Sequence, residues 1–253
     1  MTLVGGVGMS LQKVRCFTKF YLHQTFLNRI NLVFTLLFPI IWTLYQGLSH
    51  RSQSFSPERL ITAIVPLVAY IIAATALDGV TLATIATRDD GFLKSYFFVS
   101  GSRWPMFSAN VLVQTVLVVL ENIIYTLFSM ALYQTFSLRL LLAVILLTIV
   151  AFPLISLFFN WILLLPFQQN SLSALGTSLL IGLLMLYGID SSNPLLSMLI
   201  ALNPYQFIAN TLRILLGDIS LQRSAVELII IAIYAIIGVI SYQHFNLQNR
   251  GRA

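Results

Sequence analysis

Long apolar runs alternate with short polar breaks along this chain, and the alternation predicts its elements. Six runs read as membrane-spanning helices: Ile30–Leu48, Arg59–Ala86, Met106–Tyr133, Leu138–Leu165, Leu172–Ile189 and Ala225–Phe245. A hydrocarbon core of about 30 Å needs roughly 20 apolar residues in a helix. At about 1.5 Å per residue the first run covers roughly 28 Å. The second exceeds a perpendicular crossing, so it tilts or extends beyond the membrane. Pro39, Pro66 and Pro153 predict kinks inside their runs. Ala174, Gly176, Ser178 and Gly182 give the fifth run small residues at near-four spacing, which suits close helix packing in lipid. Leu11–Arg29 differs from all six. Its apolar residues recur at three- and four-residue steps between Lys13, Arg15, Lys19 and Arg29, the pattern of an amphipathic helix lying in the membrane interface. Met1–Ser10 is glycine-rich and reads as a disordered start, with Met9 an alternative initiator.

Two breaks stand out. Thr87–Pro105, TRDDGFLKSYFFVSGSRWP, concentrates Arg88, Asp89, Asp90, Lys94 and Arg103 between two apolar runs. It reads either as a solvated connector or as a loop that takes up force from a partner, and charge pattern alone does not separate the two. Pro194–Ser224 is moderately apolar but is broken at Asn203-Pro204 and carries Arg213 and Asp218. Each half is too short to cross, which predicts two short helices that dip in and return.

Composition supports the membrane reading. Of 253 residues 58% are hydrophobic and 9% charged, against about 25% charged in a soluble domain. The net charge of +6 does not point to nucleic acid; in a membrane protein it reports the basic excess of the cytoplasmic face. A single cysteine, Cys16, excludes an intrachain disulfide, and no cleavable signal pattern is present. An even number of spans puts both ends on one side. With both ends inside, nine lysines and arginines fall on inner segments and five on outer ones, so the positive-inside rule favours cytoplasmic termini and a cytosolic Thr87–Pro105.

Catalytic constellations are missing. His23, His50 and His244 lie on separate flanks, no phosphate loop of the form GxxxxGK[ST] occurs, and there is no nucleophile elbow. No catalytic role and no metal or cofactor site is expected of this chain. Asp78 and Glu121 are acids inside apolar runs, and Asn122 follows the second. An ionisable group in a span costs about 2.5–3.5 kcal/mol on insertion scales and is a functional candidate by default. These residues either line a substrate path or fix helix packing. Trp42, Trp104 and Trp161 lie near span ends and read as interface anchors.

The segment Ala201–Gly217, ALNPYQFIANTLRILLG, with Asn203, Pro204, Arg213, Leu215, Leu216 and Gly217, resembles the signature that precedes the last span of type-2 ABC exporter permeases. The Phe38-Pro39 pair in the first span and the charged loop after the second extend the resemblance over the chain from about Leu11. It implies an all-α integral membrane domain spanning 11–253, with six transmembrane helices and an N-terminal amphipathic interfacial helix. It further implies a cytoplasmic coupling helix and an outer re-entrant helical hairpin before the last span. The coupling segment would be Arg88, Asp89, Asp90, Gly91, Phe92, Leu93 and Lys94. The outer hairpin, Pro194–Gly217, would act as gate through Asn203, Pro204, Arg213 and Gly217. Two separate ATPase subunits, carrying ATP and Mg, would pair with this chain and a second permease copy or paralogue in the plasma membrane. Family loops often read Arg-Glu-x-Gly where this chain has Arg88-Asp89-Asp90-Gly91, so the loop's contacts depart in detail. The expected substrate is an amphipathic small molecule or peptide, of the kind handled in drug efflux or bacteriocin immunity. Export of a polysaccharide or lipid-linked polymer is the alternative within the family. A proton-coupled secondary transporter using Glu121 and Asp78 is the alternative outside it.

Overall fold

The computed structural model describes residues 11–27, 29–49, 57–167, 169–189 and 200–246. The expectations for Met1–Ser10, for the first arm of the outer hairpin before Ile200 and for the basic tail with Arg250 and Arg252 lie outside the described residues. The apolar runs fold as helices, and among the described residues there is no strand. In chain order these are α1 (Leu11–Leu27), α2 (Arg29–Ser49) and α3 (Pro57–Thr75), which runs through a π-helical turn (Ala76–Leu82) into α4 (Ala83–Asp89). There follow α5 (Phe92–Ser100), α6 (Trp104–Leu132), and α7 (Leu138–Phe159), which tightens into a 3-10 turn (Asn160–Leu164). The series closes with α8 (Gln169–Met185), α9 (Pro204–Leu215) and α10 (Leu221–His244).

Among the described residues four helices are long and apolar enough to cross a membrane: Glu58–Asp89, Trp104–Leu132, Leu138–Leu164 and Leu221–His244. The first and fifth expected spans are helical too, but their described apolar stretches, Val33–Leu48 and Ser171–Met185, are shorter. The α3–α4 rod is the centre of the bundle. In its most apolar window 72% of residues are buried, against 28% in α10. It packs on α2, α6, α7, α8 and α9, while α10 lies outside against α7 and its 3-10 turn. Gly238 permits that last contact, because a Cβ there would stand 2.4 Å from the Leu157 carbonyl oxygen. In the row of small residues on α8 only Gly176 serves close packing: its Cβ position lies 2.9 Å from the Leu77 side chain. Ala174, Ser178 and Gly182 are exposed, so the expected small-residue face is a single contact.

Local signals set several boundaries. Ser137 and Ser220 cap α7 and α10 by accepting from Leu140 N–H (3.3 Å) and Arg223 N–H (3.2 Å). Asn203 is held extended by the proline that follows it (φ −70°, ψ 125°) and accepts from Tyr205 N–H at 3.0 Å. Pro204 then occupies the first turn of α9, where its missing N–H loses nothing. Gly217 (φ 98°) ends α9: its N–H reaches Ile214 O and that of Asp218 reaches Arg213 O, the paired closure of a Schellman motif.

Long-range hydrogen bonds assign the connections to two ends of the bundle. At the α5 end, Lys13 Nζ donates to Ser100 O (2.7 Å), Arg88 Nη2 to Phe167 O (3.0 Å), and Gln169 N–H to Asp89 Oδ2 (2.9 Å). Arg103 Nη1 reaches the Tyr242, Gln243 and Phe245 carbonyls there. At the opposite end Arg139 donates to Leu216 O, and Gly47 faces Leu132. Helix α9 reaches only part of the way between the ends. Tyr234, about midway along α10, donates to Leu202 O at its start (2.8 Å), and Arg139 at the far end of α7 holds its finish.

Candidate functional site

Two features collect the polar chemistry. One is a pocket of about 70 Å³ among α1, α2, the α3–π rod and α6, lined by Tyr21, Gln24, Thr25, Thr35, Thr75, Asp78, Gly79, Ala83, Asn110 and Gln114. The π turn shapes it. A π turn widens the helix and disturbs its hydrogen-bond ladder, and the Gly79 carbonyl is taken up from outside, by Asn110 Nδ2 at 3.0 Å. A carbonyl at membrane depth requires such a partner. Gly79 is also where α6 comes closest, since a Cβ would lie 2.9 Å from the Gln114 carboxamide. Thr25 donates to Tyr21 O (2.8 Å) and accepts from Gln114 Nε2 (3.4 Å), which ties α1 to α6 along the pocket wall.

The structure separates the three residues expected along a substrate path. Asp78 lines the pocket. Glu121 is buried behind Thr75, whose hydroxyl donates to its Oε2 at 3.3 Å. Asn122 turns to the other side of α6 and donates to Thr148 of α7 at 3.1 Å. Thr75 therefore lies between the two acids, and Asn122 belongs to a packing contact between α6 and α7. A third buried acid, Glu227 on α10, has Asn210 and Thr211 of α9 and Arg223 as neighbours. The sequence reading passed over it, although an acid just inside the run Ala225–Phe245 carries the same signal as Asp78.

The second feature is the segment Thr87–Pro105. It is no loop: α4 continues to Asp89, a tight turn follows, and α5 occupies Phe92–Ser100. Gly91 (φ 81°) supplies the left-handed residue the turn requires. Arg88 is buried and pairs with Asp89 at 3.0 Å, and together they hold the segment between α7 and α8 through Phe167 O and Gln169 N–H. Asp90, Gly91, Phe92 and Lys94 are exposed, whereas Leu93 faces the core at 2% exposure. Phe92 stacks on Tyr96, and Tyr96 meets Phe17 and Phe20 edge-on, which seats α5 against α1. Phe98 and Val99 are left projecting, 71% and 78% exposed.

The proposed gate residues divide in the same way. Asn203 and Pro204 are buried, and Asn203 Nδ2 donates to Leu183 O at 2.7 Å, linking α9 to α8. Arg213 and Gly217 are exposed. Trp104 packs against Phe107 and Tyr242, and Trp42 is 45% exposed beside Phe38 and Tyr45. Among the described residues no group of three or more His, Cys, Asp or Glu is placed to hold a metal ion. Comparison with protein families, with curated proteins and with solved structures finds no match to this chain.

Proposed function

We propose that this chain is the permease subunit of an ATP-driven exporter of the type-2 ABC kind, moving an amphipathic small molecule or peptide across the plasma membrane. In this reading the helices cross six times: α2, α3–α4, α6, α7, α8 and α10. The α5 end is cytosolic, α1 lies in the inner interface, and α9 is the returning arm of an outer re-entrant hairpin. The observation that carries the reading is the construction of the α5 end. A buried arginine and its carboxylate partner lock the turn before α5 to the segment between α7 and α8. From this fixed base an amphipathic helix presents Phe98 and Val99 beside Lys94. Rigid anchoring behind an exposed apolar tip suits a surface that transmits a partner's motion. The half-length of α9, capped at Asn203 and closed at Gly217, fits the hairpin. The energy source would be two ATPase subunits bearing the phosphate loop that this sequence lacks.

The test is copurification from the native host in a mild detergent. A phosphate-loop ATPase in stoichiometric amount, with ATP hydrolysis that depends on this chain, is the expected result; an isolated chain whose transport persists without ATP would contradict it. Single-cysteine labelling in a Cys16→Ser background adds the orientation: Gly91→Cys should resist an impermeant reagent on intact cells, and Gly217→Cys should react. A second reading, ion-coupled secondary transport, draws support from Asp78 facing a polar pocket. Transport driven by an ion gradient in vesicles free of nucleotide would favour it.

A further inference from the structure

The pocket beside the π turn has a consistent polarity. Four of its lining residues direct a hydrogen elsewhere: Thr25 Oγ1 donates to Tyr21 O (2.8 Å), Thr75 Oγ1 to Glu121 (3.3 Å), Asn110 Nδ2 to Gly79 O (3.0 Å), and Gln114 Nε2 to Thr25 (3.4 Å). Each of the four still carries an oxygen able to accept. The Asn110 amide cannot be turned round, because Gly79 offers it only an acceptor. Its Oδ1 is therefore the atom left over; Asn110 is 2% exposed, and that oxygen has no partner. The Asp78 carboxylate lines the same space and makes no hydrogen bond or ion pair with a described residue. Among the described residues no lysine, arginine or histidine lines the pocket. A carboxylate and an unpartnered amide oxygen at a small pocket whose other donors, the Tyr21 hydroxyl and the Gln24 carboxamide, are neutral form a site of the wrong sign for an anion. A buried acceptor left unmet costs about 1–3 kcal/mol, which a donor or a cation in the pocket would offset.

We infer that the pocket formed by Asp78, Asn110, Gln114 and Thr25 binds a small monovalent cation: a sodium ion, or the ammonium head of an amine. Both share the chemistry the site asks for, one positive charge and no need of a hydrogen-bond donor. Hard alkali cations take carboxylate, carbonyl and hydroxyl oxygens, and an ammonium donates to the same set. A volume of about 70 Å³ holds either, since a water-sized occupant needs only about 10–15 Å³ on that measure. The site joins α1 to the central rod, so occupancy would brace the interfacial helix against α6. The inference does not rest on ATP-driven export, because it is tested on the single purified chain.

The full chain in detergent micelles, at constant ionic strength with N-methylglucamine as the bulky reference cation, is assayed in two ways. One is retention of radioactive sodium; the other is the midpoint of thermal unfolding with added sodium or methylammonium. Saturable sodium retention displaced by methylammonium, and reduced at least tenfold in Asp78→Asn but not in Glu227→Gln, identifies an inorganic cation. No sodium retention, with methylammonium raising the midpoint by on the order of 3 °C in the wild type and not in Asp78→Asn, identifies an ammonium head. Should Asp78→Asn fail to fold, Gly79→Ala serves, since its Cβ would displace the Gln114 carboxamide by contact at 2.9 Å and leave the acid in place. It should weaken binding of whichever cation the wild type takes. A wild type that neither retains sodium nor responds to methylammonium overturns the inference, as does a response that Asp78→Asn or Gly79→Ala leaves unchanged.

Discussion

The two ends of the bundle use their charges differently. At the α5 end, Lys13, Arg88 and Arg103 each reach a backbone carbonyl of a distant element, so α1, α5, the segment between α7 and α8, and the finish of α10 are bound to one another. At the Gly217 end Arg139 makes such a bridge. Arg213 is exposed, and Arg223 pairs with Asp218 five residues away on an open surface. A local, exposed pair of that kind contributes little, about 0–1 kcal/mol. Cations used as long-range cross-links make a platform; cations used locally leave the elements they sit on free to shift. The α5 end is thus cross-linked over long range by three cations.

Substitutions that remove the cross-links should expose this asymmetry in thermal unfolding of the detergent-solubilised chain. The largest loss is expected for Arg88→Met, which strips Phe167 O of its donor and takes the guanidinium away from Asp89: about 2–3 kcal/mol. A fall comparable to that of an exposed arginine would mean the turn before α5 is not held. Arg103→Gln comes next, at about 1–2 kcal/mol, because three carbonyls at the end of α10 and the cation resting 4.9 Å over Phe245 depend on it. At the other end Arg139→Gln should cost less than about 1 kcal/mol, its bond to Leu216 O being exposed. Arg223→Gln should fall within about 0.5 kcal/mol of the wild type. Equal losses at the two ends would erase the comparison.

Much of the architecture could be read in the chain before any coordinates. Apolar runs that follow Ser137 and Asn203-Pro204 announce helices and their starts because capping is local, whereas the last run reads from Ala225 and its helix begins four residues earlier, at Leu221 behind the Ser220 cap. Gly217 was legible for the same reason. The charged stretch Thr87–Pro105 misled on structure, since its charges suggest solvent while Arg88 is drawn inside by Phe167, far away in sequence. Sequence spacing also grouped Glu121 and Asn122 with Asp78; in space Thr75 stands between the acids, and Asn122 serves α7. The π turn and the pocket were not legible, because the widened turn is sustained by Asn110 on another helix. Glu227 was legible and passed over.

The central claim is that the exposed tip of α5 is the surface that meets a motor protein, and matched substitutions at the two ends test it most directly. Phe98 and Ile219 are both apolar and 71% and 72% exposed, at the α5 and Gly217 ends respectively. Binding of the copurifying ATPase and its stimulated hydrolysis are measured for Phe98→Asp and Ile219→Asp. Phe98→Asp should weaken ATPase binding at least tenfold while its unfolding midpoint stays within a degree or two of the wild type, and Ile219→Asp should bind as the wild type does. Full binding and stimulation by Phe98→Asp would assign that helix tip to lipid contact and contradict the claim.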